Sequence, residues 1–317
     1  MNEASAPSPL TSNGAHDDWY RRRVTMEQGG EKSTPDGFIP FRAWTEIGPI
    51  LRSFEPLLRY MGLHGRGLAN ALDIRINPVS VQLPALPPAF DGYQILQISD
   101  THLDGLPALA PIMARLLQGI EVDMLLLTGD YREDHKDPPD VGLELLRPIV
   151  DAIKSRDGRF ALLGNHDPAC SVPALQAMRF SVLLNQTICL HRDDQTVHVT
   201  GLDDVHYFYT DTARAALVKP FDGCRIAAVH SAEAANLAAD ASFDLYLCGH
   251  THGGQVCLPG GRPLLTRLHR NRAYACGLWR HGAMRGYTTT GAWVSSLPVR
   301  FFCPPEMALI TLHRGTE

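Results

Sequence analysis

Five short apolar runs in this chain each end in polar side chains that can bind a metal ion. The runs are ILQIS, LLLTG, FALLG, RIAAV and LYLCG. The polar side chains that follow them are Asp100, His102, Asp130, Asn165, His230, His250 and His252. Short apolar runs bounded by glycine and polar residues are typical of buried β-strands. Because ligands bind at the carboxyl ends of strands in an α/β sheet, we expect these side chains to converge on one edge.

Amphipathic helical segments alternate with the strand patterns from residue 93 onward. The segments are PALAPIMARLLQGI, VGLELLRPIVDAIKS and VPALQAMRFSVL. This alternation predicts layers of helices on a sheet. Two later strand patterns, MRGYTTTGAW and EMALITLH, have no evident helix between them. A mixed sheet or a second sheet is therefore expected.

The chain has 317 residues, which fits one large domain with an appendage better than two equal domains. Residues 1–40 are polar and rich in Ser, Pro, Gly and Asp, and predict a disordered tail. Residues 41–77 predict an amphipathic helical extension, including a short helix in GRGLANALDI. The main domain is expected to occupy residues 78–317, beginning with a strand in which apolar and polar residues alternate.

An apolar stripe at helical spacing runs through residues 44–61, WTEIGPILRSFEPLLRYM. Pro56 is expected to kink this helix or to restart it. The stripe fits a helix that packs on the main domain or on a partner. It also fits a membrane-surface helix with Arg52 and Arg59 near the lipid headgroups.

Composition excludes several classes of protein. A formal net charge of -5 without a basic stripe gives no support for nucleic-acid binding. Seven dispersed cysteines indicate reduced thiols in a reducing compartment. No apolar run approaches the ~20 residues that span a bilayer, and the N-terminus does not resemble a signal sequence. We therefore expect a cytoplasmic protein, with peripheral contact to the inner membrane through residues 44–61 as the open alternative.

Sequence motifs for other chemistry are missing as well. The chain contains no G-x-S-x-G motif around a nucleophilic serine. No glycine-rich phosphate loop opens a helix after a strand. Serine-hydrolase and nucleotide-cofactor functions are therefore not expected.

The seven donors form a mixed oxygen and nitrogen set without sulfur. Such a set suits Mn, Fe, Zn, Co or Ni. Seven donors are more than one ion with an open position needs, so we expect two divalent ions ~3.5–4 Å apart, bridged by a carboxylate. Two such ions lower the pKa of a shared water and bind the oxygens of an in-line displacement at phosphorus.

Residues next to the predicted ligands suggest supporting functions. His166 follows Asn165 and could donate a proton or bind a phosphoryl oxygen. Asp167 could orient an imidazole or cap a helix. Glycines at positions 129, 164 and 249 precede ligands where the backbone is expected to take unusual dihedral angles.

Other polar residues near the predicted site have a less specific interpretation. Asp104, Arg132, Glu133 and His135 could contact substrate or be exposed loop charges. Arg300 is expected to pack or to form an ion pair. The remaining histidines are expected on the surface or in the core: His16, His64, His191, His198, His206, His269, His281 and His313.

The blocks SDTHLDG, TGDYRED, GNHD, VHS and GHTHGG stand in this order. They resemble the calcineurin-like metallophosphoesterase superfamily over roughly residues 78 to 313. The resemblance implies a four-layer α/β/β/α sandwich of two mixed sheets with a two-metal site. Asp100, His102 and His252 resemble ligands of the first metal. Asp130 resembles the bridging and catalytic carboxylate. Asn165, His230 and His250 resemble ligands of the second metal, and His166 the catalytic, phosphate-contacting histidine.

The segments GHTHGGQVCLPGG and GAWVSSLPVRFFCPPEMALITL are similar to a bacterial YkuE-like phosphodiesterase subgroup. This similarity implies hydrolysis of a phosphodiester or pyrophosphate bond by hydroxide activated at two metals. The substrate would be a small phosphoester or a lipid-linked one. Open alternatives are a UDP-2,3-diacylglucosamine-type pyrophosphatase, a phosphomonoesterase and a non-catalytic scaffold with the same fold. The chain departs from the subgroup by lacking a membrane span and by having Glu133 where a smaller acid is usual.

Overall fold

The computed structural model describes residues 13–35, 52–133, 138–294 and 296–315, which form strands and helices. The strands in these ranges are β1 (Arg75–Leu83), β2 (Tyr93–Ile98), β3 (Glu121–Leu127), β4 (Lys154–Ala161), β5 (Ser181–Val182), β6 (Gln186–Arg192), β7 (Gln195–Gly201), β8 (Cys224–Ala228), β9 (Leu245–Cys248), β10 (Cys257–Leu258), β11 (Arg262–Pro263), β12 (Gly277–His281), β13 (Met284–Thr288) and β14 (Glu306–Arg314). The α-helices in these ranges are α1 (Asn13–Glu27), α2 (Glu55–Tyr60), α3 (His64–Leu72), α4 (Leu109–Leu117), α5 (Asp140–Asp151), α6 (Val172–Ala177), α7 (Asp211–Val218) and α8 (Ala235–Asp240).

Two six-stranded sheets account for most of these strands in the described ranges. The first has the order β1-β14-β2-β3-β4-β5, with β2 to β5 parallel and β14 antiparallel to β2. The second has the order β12-β13-β9-β8-β7-β6, with β13, β9, β8 and β7 parallel and both edge strands antiparallel. Both sheets are mixed, as predicted. The chain passes from β13 in the second sheet to β14 in the first, which confirms that the last two strand patterns belong to two sheets.

The side chains of each central strand alternate between two cores. In β3, Met124 and Leu126 face the second sheet, while Leu125 and Leu127 face helices α4 to α6. In β8, Ile226 faces the first sheet, and helices α7 and α8 cover the opposite face. This alternation follows from the two-residue period of a strand. The resulting order of layers is α/β/β/α, and the predicted fold class is confirmed.

The described part of the extension before the main domain contains two short helices. Pro56 lies in the first turn of α2, where a missing N–H costs nothing, so the predicted restart at this residue is correct. The predicted short helix is α3, which packs on the domain through the buried Ala71. Residues 44–51 of the predicted stripe lie outside the described ranges.

The predicted start of the main domain at residue 78 is too late. Strand β1 begins at Arg75, which is paired with Glu306 of β14. Residues 75–77 lack the burial that produces an apolar alternation, because their contribution is backbone pairing at the end of a strand. No helix in the described ranges is long and apolar enough to cross a membrane.

The prediction of a disordered tail is wrong for helix α1. Arg23 of this helix is buried, and its Nη1 lies 3.0 Å from Oδ1 of the buried Asp203. Its guanidinium also stacks 3.2 Å from the centroid of the Phe208 ring, and Trp19 Nε1 donates to Asp203 Oδ2 over 2.8 Å. Met26 of this helix also packs with Tyr207 and Phe208, and Trp19 packs against the main core. The mainly polar composition of the helix does not reveal these contacts.

Replacing Arg23 with methionine should therefore destabilise the whole domain. Removing one partner of a buried ion pair leaves an uncompensated charge and costs ~3–5 kcal/mol. The measurement is the free energy of unfolding in a denaturant titration. The matched control is Arg21→Met in the same helix, because the Arg21–Asp18 pair has side chains that are 75% and 81% exposed and should matter little. Equal effects of the two substitutions would contradict the docking of α1.

Candidate metal centre

The seven predicted donors all lie at the carboxyl ends of strands, along one edge of the sandwich. The first sheet contributes donors after β2, β3 and β4, and the second sheet after β8 and β9. Two groups have donor atoms within 4.8 Å of one another. One group is Asp100, His102 and His252, and the other is Asp130, His230 and His250. This division matches the two sets that the sequence resemblance implies.

Asn165 stands beside the second group, and Asp130 lies between the two groups. Oδ1 of Asn165 lies 3.1 Å from Nε2 of His230, beside the second group. Oδ2 of Asp130 lies 3.2 Å from His230 Nε2 and 3.8 Å from His102 Nε2. Asp130 thus reaches donors of both groups, as a bridging carboxylate must.

The backbone is strained at five of the seven donors. Asp100, His102, Asp130, His250 and His252 all have φ between 36° and 71°, in the left-handed region. This conformation costs a non-glycine residue roughly 1–2 kcal/mol. Such strain persists only where the surrounding structure holds it, and it concentrates at functional sites.

The glycines before the donors act mainly by allowing close approach. Gly129 does have a positive φ of 95°, as the sequence analysis expected. Gly164 and Gly249 are not in that region, and the expectation of unusual dihedral angles is wrong for them. A Cβ at Gly164 would stand 2.1 Å from Oδ1 of Asp130, and a Cβ at Gly249 would stand 2.1 Å from Oγ of Ser99. Any side chain at either position would push the donor-bearing loops apart.

Backbone carbonyls fix the tautomers of three imidazoles. His102 Nδ1 lies 2.6 Å from the Arg132 carbonyl. His230 Nδ1 lies 2.7 Å from the Thr128 carbonyl, and His252 Nδ1 lies 3.0 Å from the Trp293 carbonyl. A carbonyl only accepts, so each Nδ1 donates its proton to the carbonyl and Nε2 is the ring nitrogen left for a metal ion. This is the usual arrangement of a metal-binding histidine.

The burial and charge of the donors fit divalent cations. The Nε2 atoms of His102 and His250 are buried and make no hydrogen bond. Burial holds the pKa values of His250 and His252 well below the usual range, so both imidazoles are neutral. Burial would raise the pKa of Asp130, but His230 and His166 outweigh it and hold that pKa well below the usual range. Burial would lower the pKa of His230, but the charge of Asp130 outweighs it and raises that pKa to about 10. A bound cation would take the place of this proton, because metal binds the neutral imidazole.

His166 is held beside these groups by its own backbone and ring. Its N–H donates to Asp130 Oδ1 over 2.9 Å, and its Nδ1 lies 2.6 Å from the Glu133 carbonyl. Its ring centroid is 5.0 Å from that of His102. The ring is half-buried, which leaves it at the boundary between the donors and solvent.

Asp167 has neither of the two predicted functions. Its Oδ2 accepts from the N–H groups of Asp130 and Gly164, over 2.7 and 2.8 Å, and its Oδ1 accepts from Tyr131 N–H. Burial and the charge of Asp130 raise the pKa of Asp167 to about 6. The carboxylate joins the loops after β3 and β4, and no imidazole and no helix end is involved in these bonds.

The other polar residues near the site form hydrogen bonds with backbone groups. Arg132 Nε donates to the His166 carbonyl over 2.6 Å, and the carboxylate of Asp104 accepts the Glu133 N–H. The fully buried Arg300 donates to backbone carbonyls, including that of His252, which agrees with the expected packing function. His135 lies outside the described residues.

Sequence reasoning missed two residues at the site. His206 was expected in the core or on the surface, but its ring centroid lies 4.6 Å from that of His250, and its buried Nδ1 makes no hydrogen bond. Arg267 lies close enough for its charge to lower the pKa values of His250 and His252. Neither residue directly follows an apolar strand, so the pattern that identified the other residues could not identify these.

Comparison with known proteins agrees with this geometry. Residues 93–254, just over half of the chain, match the model of the calcineurin-like phosphoesterase family. The metallophosphoesterase YkuE of Bacillus subtilis is 29% identical over 265 residues, covering 78% of this chain and 90% of YkuE. YkoQ of the same organism is 24% identical over 261 residues, covering 77% of this chain and 92% of YkoQ.

A relative with a named activity is the phosphodiesterase YaeI of Escherichia coli. It is 28% identical over 232 residues, which cover 69% of this chain and 82% of YaeI. The family match spans the strand ends that carry all seven donors, from Asp100 to His252. This chain belongs to the calcineurin-like phosphoesterase family, in its YkuE-like group, and is a hydrolase that acts on phosphoester bonds.

Proposed function

We propose that the protein hydrolyses a phosphodiester or pyrophosphate bond with two divalent ions held by its seven donors. The observation that carries this proposal is the pair of three-donor groups with Asp130 within reach of both. Asp100, His102 and His252 would hold one ion. Asn165, His230 and His250 would hold the other, and Asp130 would bridge the two. When bound, two such ions acidify a shared water and neutralise the charge that develops on the phosphoryl oxygens.

The chain's own groups organise the rest of the site. The carbonyls of Arg132, Thr128 and Trp293 keep three imidazoles in the orientation that directs Nε2 toward the carboxylates. The N–H of His250 donates to Asp100, which fixes that carboxylate in turn. The groups are thus pre-oriented before substrate arrives, and pre-orientation is a large part of catalytic power.

His166 is the residue that we assign to the leaving group. Its Nδ1 is committed to the Glu133 carbonyl, so Nε2 is the nitrogen whose proton can move. Its backbone N–H bond to Asp130 supports a role for His166 beside the reacting phosphoryl group. We propose that His166 protonates the departing oxygen, a contribution of typically 10²–10⁴-fold for general acid catalysis.

A diester or pyrophosphate is supported by the phosphodiesterase name of the relative YaeI. Monoester hydrolysis remains the other possibility within the same chemistry. A non-catalytic scaffold is disfavoured, because no donor of the predicted set has been lost.

The activity test compares the rates at which the manganese-loaded protein hydrolyses bis(p-nitrophenyl) phosphate, a diester, and p-nitrophenyl phosphate, a monoester. Bound metal is measured in the same preparation. Faster turnover of the monoester would overturn the preference for a diester.

Replacing Asp130 with asparagine should abolish both metal pairing and hydrolysis. We expect kcat/KM to fall by more than ~10²-fold, above the ~10–100-fold cost of losing an outer partner of a metal ligand. Bound manganese, measured by atomic emission, should fall from two equivalents in the same variant. Asp193→Asn is the matched control, because Asp193 is an exposed acid in the turn between β6 and β7. A variant that keeps two equivalents and full activity would contradict the bridging function.

Replacing His166 with glutamine should affect poor leaving groups more than good ones. We expect ~10²–10⁴-fold loss with an alkyl leaving group, and a smaller loss with p-nitrophenolate, which departs without a proton. Bound metal should stay unchanged. The exposed His191, replaced with glutamine, is the control. An equal loss with both leaving groups would contradict proton donation and indicate a phosphoryl contact instead.

A further inference from the structure

An apolar pocket opens directly beside the candidate metal centre. Its volume is about 360 Å³, within the ~300–1,000 Å³ that is typical of small-molecule pockets. Its walls come from α2, from the chain around β10 and from the segment before β14. The apolar side chains that form most of the walls are Leu58, Val256, Leu265, Leu297, Val299 and Phe301. The donor His252 lies at one end of the same pocket.

The polar side chains of the pocket wall already bind to protein atoms. Thr251 Oγ1 donates to the Ala275 carbonyl over 2.5 Å. Gln255 Nε2 donates to the Leu297 carbonyl over 2.6 Å. Because these groups are hydrogen-bonded to the backbone, the middle of the pocket presents a mainly apolar surface to a ligand. A ligand segment that needs hydrogen bonds would lose its water there without replacement.

The inner end of the pocket is charged. Arg267 lines the pocket together with His252, and its charge interacts with those of Asp130 and Asp100. The pocket therefore joins the metal centre at a point where a phosphoryl group would meet a cationic side chain. An anionic head at this end and an apolar tail in the body would match both parts of the cavity.

The outer end of the pocket stays apolar up to the surface. Phe54 and Leu57 of the α2 region are each 51% exposed, and Leu264 is 61% exposed. Soluble proteins seldom expose large contiguous apolar patches without a function for them. An exposed apolar mouth allows the tail of a ligand to enter from outside and to extend beyond the cavity.

We propose that the substrate is a phosphoester that carries an alkyl or acyl chain. The chain lies in the pocket between α2 and Phe301, and the phosphoryl group lies at its inner end beside His252 and Arg267. This inference rests on the proposed hydrolysis at the two-metal site and adds the class of substrate.

The test is a series of alkyl p-nitrophenyl phosphate diesters, from methyl to dodecyl, assayed as monomers in solution. The leaving group is constant, so chemistry at phosphorus is unchanged along the series. Burial of each methylene is worth ~0.8 kcal/mol, which corresponds to about a fourfold rise in kcat/KM per methylene until the cavity is full. A flat series with wild-type protein would overturn the assignment of the pocket.

Two variants test whether the dependence on chain length comes from this pocket. Val256→Phe narrows the cavity and should move the plateau to a shorter chain than in the wild-type protein. Leu57→Asp charges the mouth and should weaken the dependence on chain length, whereas Leu278→Asp, equally exposed but outside the pocket, should not. Unchanged chain-length profiles in both pocket variants would overturn the proposal.

A binding measurement separates the two levels of the proposal. Isothermal titration should show dodecylphosphonate binding far more tightly than ethylphosphonate, and Val256→Phe should reduce this difference. If wild-type protein binds the long chain but hydrolyses no diester, the proposed hydrolysis fails and the pocket assignment stands. If the methyl diester is hydrolysed but neither rate nor binding depends on the chain, the pocket assignment fails and the hydrolysis stands.

Discussion

The contact between the loops after β3 and β4 is the constraint on which the rest of the site depends. Gly164 lies against the Asp130 side chain so closely that a Cβ would stand 2.1 Å from Oδ1. The buried carboxylate of Asp167 binds N–H groups from both loops and keeps them together. Because His166 and Asn165 follow directly in the chain, this one contact positions a predicted ligand, the proposed acid and the bridging carboxylate. Local hydrogen bonding and close packing within the protein thus establish the relative positions of these residues.

Much of this arrangement could be predicted from the sequence. The strand ends predicted that seven polar side chains would meet at one edge, because a buried parallel strand leaves a clear apolar run followed by polar residues. The alternation of helices and strands, together with the family resemblance, gave the layers correctly. The positions of His206 and Arg267 at the site were not predicted, because both residues stand in irregular segments. Such segments approach the site only when distant parts of the chain pack together. The function of Asp167 was not predicted for a related reason, since its partners are backbone N–H groups that no side-chain pattern reveals.

The structure of helix α1 could not be predicted from its amino-acid composition. Its sequence is mainly polar, and disorder was the reasonable expectation for such a segment. Its attachment depends instead on Arg23, which pairs with Asp203 and donates to the Asp167 carbonyl over 2.7 Å. A single buried guanidinium thereby connects the N-terminal helix to the loop that carries His166. Arg23 is far from Asp203 and Asp167 in the sequence. Its contacts therefore make a segment outside the family match part of the support for the site.

The left-handed backbone at five of the donors has a consequence for the life of the protein in a cell. The left-handed backbone at these five residues adds strain at the site, where the buried carboxylates of Asp100 and Asp130 also repel one another. A cation that binds the native state and not the unfolded chain offsets both and draws the folding equilibrium toward the native state. A shortage of divalent metal ions would therefore increase the exposure of the protein to proteases as well as abolish its activity. The abundance of the protein would then follow the supply of its ions, even with synthesis held constant.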